Sequence, residues 1–417
     1  MSAPCGARNS GVPTVSDRFI GQNDSIGLLK NVLLAKRLIC RTVSLKSIEI
    51  KIWIDLQSKH QYNKFRINEP RCIMNQYVLL LNPGHNRVYY KSSQQLSEAE
   101  FSIVAKSMDC HPNQIKGEKI AGVFYLTFVA DKELSAMDLV RIAKLSFVFA
   151  LYEKVENYLR PIEIPNVNLT GISISSLLKY TGKTNELFTR MMINVAASSI
   201  AIKNPGRLRL LDPIAGKGTT LFEGLTMGYD CYGIEIGEKA ATESYNYLKK
   251  YLEIEKIRHK TAKQRQSGPN KSYTAIHYIV DLAKDKEDFK NHQEQHFEMV
   301  NGDSIFADQF FRKNSFHILA GDLPYGVQHG NVTGGKQSNS FTRNPKELVK
   351  NCLPSWKNVL KPGGVLVLAW NTNVLPKKEL ATVLEEAGLT VLSEDSYNQF
   401  SHRVDGAIMR DILIARK

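Results

Sequence analysis

No apolar run in the sequence approaches the roughly 18 residues that a membrane helix needs, so the chain reads as soluble. The six cysteines (Cys5, Cys40, Cys72, Cys110, Cys231 and Cys352) are scattered, and no C-x-x-C pair occurs. That leaves neither a zinc knuckle nor a disulfide framework, and it fits a reducing cytoplasm. His317 and His329 are single histidines without ligand spacing, so no metal is expected. The first residues, "MSAPCGARNSGVPTVSDRF", lack the hydrophobic stretch of a secretory signal. They read as a disordered leader over residues 1–20.

Acidic charge is also scarce. Fifty-five Lys and Arg stand against 41 Asp and Glu, a net charge of +14 in 417 residues. Such a balance suits a polyanionic partner, nucleic acid first, although solubility alone also explains it. The length allows two or three domains. Residues 21–160 mix strand-like runs such as "NQYVLLLN" and "GVFYLTFVA" with the helical-looking "SAMDLVRIAKLSFVFALYEKVENYL", which predicts an α+β module. "RPIEIPNVNLTG" reads as a linker, placed at 161–175.

From residue 176 onward short apolar strands alternate with helical segments. "LRLLD", "DCYGIEI", "HFEMVNGD", "FHILAGD", "GGVLVLAW" and "AIMRDILIARK" are the strands, with "PKELVKNCLPSWKNVL" and "KKELATVLEEAG" among the helices. This alternation predicts a doubly wound α/β sheet, with ligands beyond the carboxyl ends of its strands. One charged insertion, near 253–295, interrupts it. Eight bases against two acids fill 249–271, then six acids against three bases fill 281–298. A solvated helical insertion whose halves neutralise each other and a basic finger on phosphates are both open readings.

Three acids end three successive strands: Asp212, Glu235 and Asp303. Between the first two, "LLDPIAGKGTT" places Gly216 and Gly218 in a turn before a helix, where glycine lets the backbone approach a ligand. The turn is not a P-loop, since Gly218 follows Lys217 and Leu211 stands where the first glycine belongs. It is not the dinucleotide G-x-G-x-x-G either. Farther on, "GDLPYG" puts an acid, a proline and an aromatic at the mouth of an apolar strand.

The pattern D-x-x-x-G-x-G-T resembles motif I of class I S-adenosylmethionine methyltransferases. "DLPYG" resembles their (Asp/Asn)-Pro-Pro-Tyr motif IV. With Leu323 for the first proline, it matches the form in the THUMP-associated RNA guanine-N2 methyltransferases. "TGKTNELFTRMMINVA" resembles the segment preceding motif I, called motif X. The resemblance covers about residues 175–417. It implies a Rossmann-like methyltransferase domain over 176–417 with a seven-stranded, mostly parallel sheet, and S-adenosyl-L-methionine as cofactor. Asp212, Gly216, Gly218, Glu235 and Asp303 would bind that cofactor, with Glu235 on the ribose and Asp303 on the adenine amine. Phe188 and Thr189 would approach its methionine end.

Asp322, Pro324 and Tyr325 are then the catalytic candidates. A base amine delocalises its lone pair into the ring. Asp322 and the carbonyl of Leu323 or Pro324 can each accept one N–H and free that lone pair, proline fixes the carbonyl's direction, and the Tyr325 ring can stack on a flipped base. Leu323, with Lys336 and Arg343 in the Gly- and Asn-rich loop after it, would touch substrate. Capping alone can explain Thr184 and Asn185.

The leading expectation is a cytoplasmic methyltransferase acting on RNA, with tRNA guanine-N2 as its target and 21–160 docking the RNA. A small activator subunit is the second partner this reading admits. DNA adenine-N6 or cytosine-N4 methylation and protein glutamine methylation share motif IV. A silent RNA-binding scaffold is the third reading, and the acids at four strand ends argue against it.

Overall fold

The computed structural model describes residues 75–82, 87–166, 174–180, 183–325 and 344–417. The expected leader, Lys336 and Arg343 lie outside them. Among the described residues, no helix is long and apolar enough to cross a membrane, and no cluster of His, Cys, Asp and Glu could hold a metal ion.

The first part is a five-stranded antiparallel sheet carrying two helices. In chain order these are β1 (Asn75–Leu81), α1 (Arg87–Ala105), β2 (Asn113–Ile120), β3 (Val123–Ala130), α2 (Ala136–Lys144), β4 (Val148–Val155) and β5 (Tyr158–Ile162). The strand order is β2-β3-β1-β4-β5. Ala121 and Gly122, both at positive φ, make the two-residue turn of the β2–β3 hairpin. Ser135 and Asp138 form a capping box that starts α2.

The helix expected to run on through "SFVFALYEKVENYL" stops at Lys144. The chain then forms the hairpin β4–β5, turning at Glu156 with φ 51°. Val148, Phe149, Tyr152 and Val155 are β-branched or aromatic, and the sheet edge beside β1 is free to take them. The residues read as the start of the linker, Pro161 and Ile162, belong to β5.

The second part contains α3 (Glu186–Ser198), β6 (Arg209–Asp212), α4 (Thr219–Thr226), β7 (Asp230–Glu235), α5 (Glu238–Ile254), β8 (Arg258–Ser267), β9 (Thr274–Ala283) and β10 (Gln295–Asn301). Then come β11 (Phe316–Asp322), α6 (Pro345–Val359), β12 (Leu360–Asn371), α7 (Lys377–Glu386), β13 (Thr390–Val391), β14 (His402–Arg403) and β15 (Met409–Arg416). The sheet order is β13-β15-β12-β11-β6-β7-β10-β9-β8, with β14 paired to β15. Strands β12, β11, β6, β7 and β10 pair in parallel, and β15 runs against β12.

The expected doubly wound α/β sheet is present. It has ten strands rather than seven: the short β13 and β14 both pair with β15, and two more strands come from the insertion, which apart from the short helix Lys286–Lys290 is not helical. It folds as the antiparallel hairpin β8–β9 on the edge of β10. The alternation in "YIVDL" carries that outcome: Tyr278, Val280 and Leu282 are buried on one face.

Helices cover both faces of the sheet. Phe222 of α4 and Leu248 of α5 pack with Phe297 and Ile318 on one side. Val349 and Trp356 of α6, with Leu380 of α7, pack with Leu319, Leu366 and Trp370 on the other. Burial on both faces is why "FHILA" reads as an unbroken apolar run.

The five-stranded part is joined to this core. Leu96, Ala99 and Ile103 of α1 share a cluster with Met191, Met192 and Val195 of α3. Fully buried Glu100 accepts from the Ser146 amide at 3.0 Å and from Asn194 Nδ2 at 2.8 Å, tying the two parts by one carboxylate. Burial pushes its pKa up.

Candidate active site

From β6 the chain runs outward to β7 and β10, then returns to β11 on the other flank of β6. The carboxyl ends of β6 and β11 are therefore a topological switch point, where doubly wound sheets open a crevice. Asp212 and Asp322 are the last residues of these two strands.

Asp212 is buried, and its Oδ1 accepts from the Ile214 amide at 3.0 Å. Burial, with Asp322 and Glu235 adding their repulsion, pushes its carboxyl up to about 7. The turn after it depends on its glycines. Gly216 has φ 53° and Gly218 φ 88°. A side chain at Gly218 would also place Cβ 2.6 Å from Ser244 Oγ, so glycine is needed there for conformation and for space.

Glu235 closes the turn from beneath. Its Oε2 accepts from the Gly216 amide at 2.8 Å and its Oε1 from the Gly237 amide at 2.7 Å. Burial raises its pKa, and these two amides partly offset that. Asp303 caps a 3-10 turn through the Ile305 amide at 3.1 Å. Between these acids, Ile236 leaves 37% of its surface exposed. An apolar side chain flanked by carboxylates at two strand ends suits a flat purine ring with hydroxyls and an amine at its edge. Sequence reasoning missed Ile236, although its place after Glu235 was visible.

The Asp322 carboxylate is held from two sides. Thr184 Oγ1 donates to Oδ2, and the Tyr325 hydroxyl donates to Oδ1 at 2.6 Å. Thr184 is thus more than a cap. The cap of α3 is Asn185, whose Oδ1 accepts from the Leu187 and Phe188 amides at 2.9 and 3.1 Å. Tyr325 does not project as a free stacking ring. It lies between Asp322 and the Arg410 guanidinium, 5.0 Å from its ring centre. Burial, then the Asp322 charge, pushes the tyrosine pKa well up.

Three expected contacts take other places. Leu323 is 1% exposed and packs with Leu319, Leu348 and Leu368, while its amide bonds the Ala369 carbonyl at 2.8 Å. Its side chain is core, and its backbone alone is left for a substrate. Phe188 is buried, its ring against His402 and the Arg410 guanidinium. Thr189 is buried, and its hydroxyl bonds back to the Asn185 carbonyl at 3.2 Å. Neither offers a polar atom outward.

Arg410 was not singled out in the sequence. It is 5% exposed, stands over the Phe188 ring at 4.6 Å, and makes no ion pair among the described residues. Its one signal was a cation inside the apolar closing strand "MRDILIAR". Tyr180, whose hydroxyl meets Thr219 Oγ1 at 2.9 Å over the glycine turn, was also missed.

A glycine turn at a switch point, ringed by carboxylates at four strand ends, defines a binder of a nucleoside-like cofactor with chemistry at its edge. Residues 199–395 match the family described as RMKL-like, methyltransferase domain. The chain is an enzyme, a methyltransferase, and its cofactor is S-adenosylmethionine.

Among solved structures it is similar to TrmN from Thermus thermophilus, with 12% identity, TM-score 0.33, and coverage of 73% of this chain and 59% of that one. A TehB-like SAM-dependent methyltransferase from Corynebacterium glutamicum shows 14% identity, TM-score 0.28, and coverage of 56% and 97%. A ribosomal protein L11 methylase from Lactobacillus delbrueckii subsp. bulgaricus shows 12% identity, TM-score 0.30, and coverage of 55% and 80%. These likenesses are distant and add nothing to the family match. No curated protein matches the chain.

Proposed function

We propose that the enzyme methylates an exocyclic amino nitrogen of a nucleobase in RNA, with guanine-N2 of tRNA as the target. One observation carries the reading: Asp322 stands at the switch point, at the end of the strand beside Asp212, and the Leu323–Pro324 backbone comes directly after it. An acid and a carbonyl one or two residues on suit the two hydrogens of an amine.

The residues present fit the cofactor. Gly216 and Gly218 let it approach the backbone, and Glu235 and Asp303 offer acceptors for ribose and adenine. Asp212 belongs to the same turn. The sulfonium of S-adenosylmethionine supplies an electrophilic methyl group. Asp322 accepts one N–H of the base amine and the carbonyl of Leu323 or Pro324 accepts the other, which directs the nitrogen lone pair along the line of transfer. The methyl group of bound S-adenosylmethionine would pass from its sulfur to that nitrogen, and Asp322 or water would take the proton the nitrogen sheds. Thr184 and Tyr325 hold the carboxylate in orientation.

The net charge of +14 favours a polyanionic substrate. The five-stranded sheet is the proposed docking element. Phe149 and Tyr158, 65% and 59% exposed, are rings a splayed base could stack on. The test is transfer of an isotopically labelled methyl group from S-adenosylmethionine to total RNA, DNA and protein, followed by nucleoside mass spectrometry. Label in N2-methylguanosine is expected. Label in DNA or protein, with none in RNA, sinks the reading.

A further inference from the structure

A second cavity, of about 560 Å³, lies where β6, β7 and β10 meet the hairpin β8–β9. Its walls come from the amino ends of β6 and β10, from the hairpin β8–β9, and from the loop before β11. Arg209 begins β6, and Phe316, beside it, begins β11. Asp322 ends β11, six residues on, which at 3.3 Å per residue is roughly 20 Å away. That end of the cavity is far from Asp322, whereas its other end, at Arg265 and His277, is level with Val300 and Asn301 at the carboxyl end of β10.

Its chemistry is opposite to that of the crevice. Three guanidinium groups line it, from Arg209, Arg265 and Arg312. The Arg209 side chain donates to the Tyr232 hydroxyl at 2.9 Å and stacks on that ring. Arg265 and Arg312 are exposed, and their side chains have neither an ion pair nor a hydrogen bond among the described residues.

The acid in the wall, Glu298, is already engaged. His277 Nδ1 meets one of its oxygens at 2.6 Å and His296 Nε2 the other at 3.3 Å. His296 also meets Asp281 at 2.7 Å. Burial works against its charge, but these two carboxylates raise His296 to about 9, so it is cationic at neutral pH. The other nitrogen of His277 faces Gln266 Oε1 at 2.9 Å, and the Gln266 amide is oriented by its donation to the Gln309 carbonyl at 2.8 Å. The carboxylates are spent on histidines, and the arginines keep their donors.

We propose that this cavity binds a phosphate group. Planar guanidinium forks with unspent N–H groups, converging on a concave surface that a cationic imidazole backs, match phosphate oxygens in geometry and sign. The phosphate comes either from an RNA backbone that continues along the basic edge strand β8, where Arg258, Lys260 and Lys263 are exposed, or from a free phosphorylated compound. The site does not depend on which base is methylated.

The experiment uses the full chain, sodium pyrophosphate in calorimetry, and a fluorescein-labelled RNA oligonucleotide in polarisation. The variants are Arg265→Glu and Arg312→Glu, both at exposed positions. Lys378→Glu, exposed on α7, makes the same charge change elsewhere. Pyrophosphate should bind the unmodified chain and Lys378→Glu alike, and at least about tenfold more weakly to the two arginine variants.

Displacement of the RNA by pyrophosphate, with an RNA salt slope smaller by about 0.7 per variant, assigns the phosphate to RNA. Pyrophosphate binding without displacement assigns it to a free compound. Absence of pyrophosphate binding, or an equal loss of binding in all three variants, overturns the proposal.

Discussion

The Tyr325 hydroxyl stands 2.6 Å from Oδ1 of Asp322, three residues before it, and the Arg410 guanidinium lies 5.0 Å from the centre of the same ring. The Asp322 carboxylate and a buried cation thus both meet one tyrosine. This arrangement orients Asp322 without pairing it directly with a charge, and it leaves lone pairs on both carboxylate oxygens.

Asp322→Ala removes the acceptor and leaves the hydrogen bonds within the cofactor turn in place. Turnover should fall by at least about 100-fold, with S-adenosylmethionine affinity largely intact. Steady-state kinetics and calorimetry read the two quantities separately. A large loss of cofactor affinity would place Asp322 in the cofactor site instead.

Arg410→Lys keeps the charge and loses the plane that lies on Phe188 and Tyr325. The change should cost about 1–2 kcal/mol in denaturant unfolding and lower kcat, since Tyr325 would no longer be held against Asp322. Unchanged stability and rate would show that the stacking contributes nothing.

Asp212 sets a pH dependence whose sign comes from its raised pKa. The unfolded chain releases this proton near its ordinary 3.8, whereas the folded chain keeps it to about 7. Stability from this group is therefore full below pH ~4, declines as pH rises to ~7, and stays low above that, by at most about 4 kcal/mol. Asp212→Asn, which keeps the acceptor for the Ile214 amide, should lack that slope. Urea titrations of both proteins across this window measure the difference, and parallel curves would refute it.

Gly218→Ala meets two obstacles, the positive φ and the Ser244 oxygen. About 1–2 kcal/mol should be lost to the backbone alone, with more from the clash. Adding Ser244→Ala should recover the second part and not the first, and thermal unfolding of the single and double variants tests this. Full recovery would mean that space alone demands the glycine.

Much of this site was legible in local sequence because each piece lies within a few residues of its own strand. Asp212, Glu235, Asp303 and Asp322 each end an apolar run, and the glycines sit at the turn they make possible. Arg410 was illegible for the opposite reason. It lies 88 residues after Asp322 and reaches it only because β15 runs against β12, bringing Arg410 opposite Asn371 at the carboxyl end of the sheet. The β8–β9 hairpin was hidden by charge, since an edge strand with solvent on its flanks shows little hydrophobic periodicity. Leu323 misled because it stands among the candidate residues of "DLPY", whereas its own side chain completes a core.

Glu100 belongs to α1 of the five-stranded part, and it bonds Asn194 on α3, the helix that opens beside Thr184 and Asp322. The two parts share one buried cluster, in which Leu96, Ala99 and Ile103 of α1 meet Met191, Met192 and Val195 of α3. A molecule gripped on the smaller sheet would meet the catalytic carboxylate at a constant offset. Such an enzyme would work as a caliper, choosing its nucleotide by distance from the grip as much as by the letters around it.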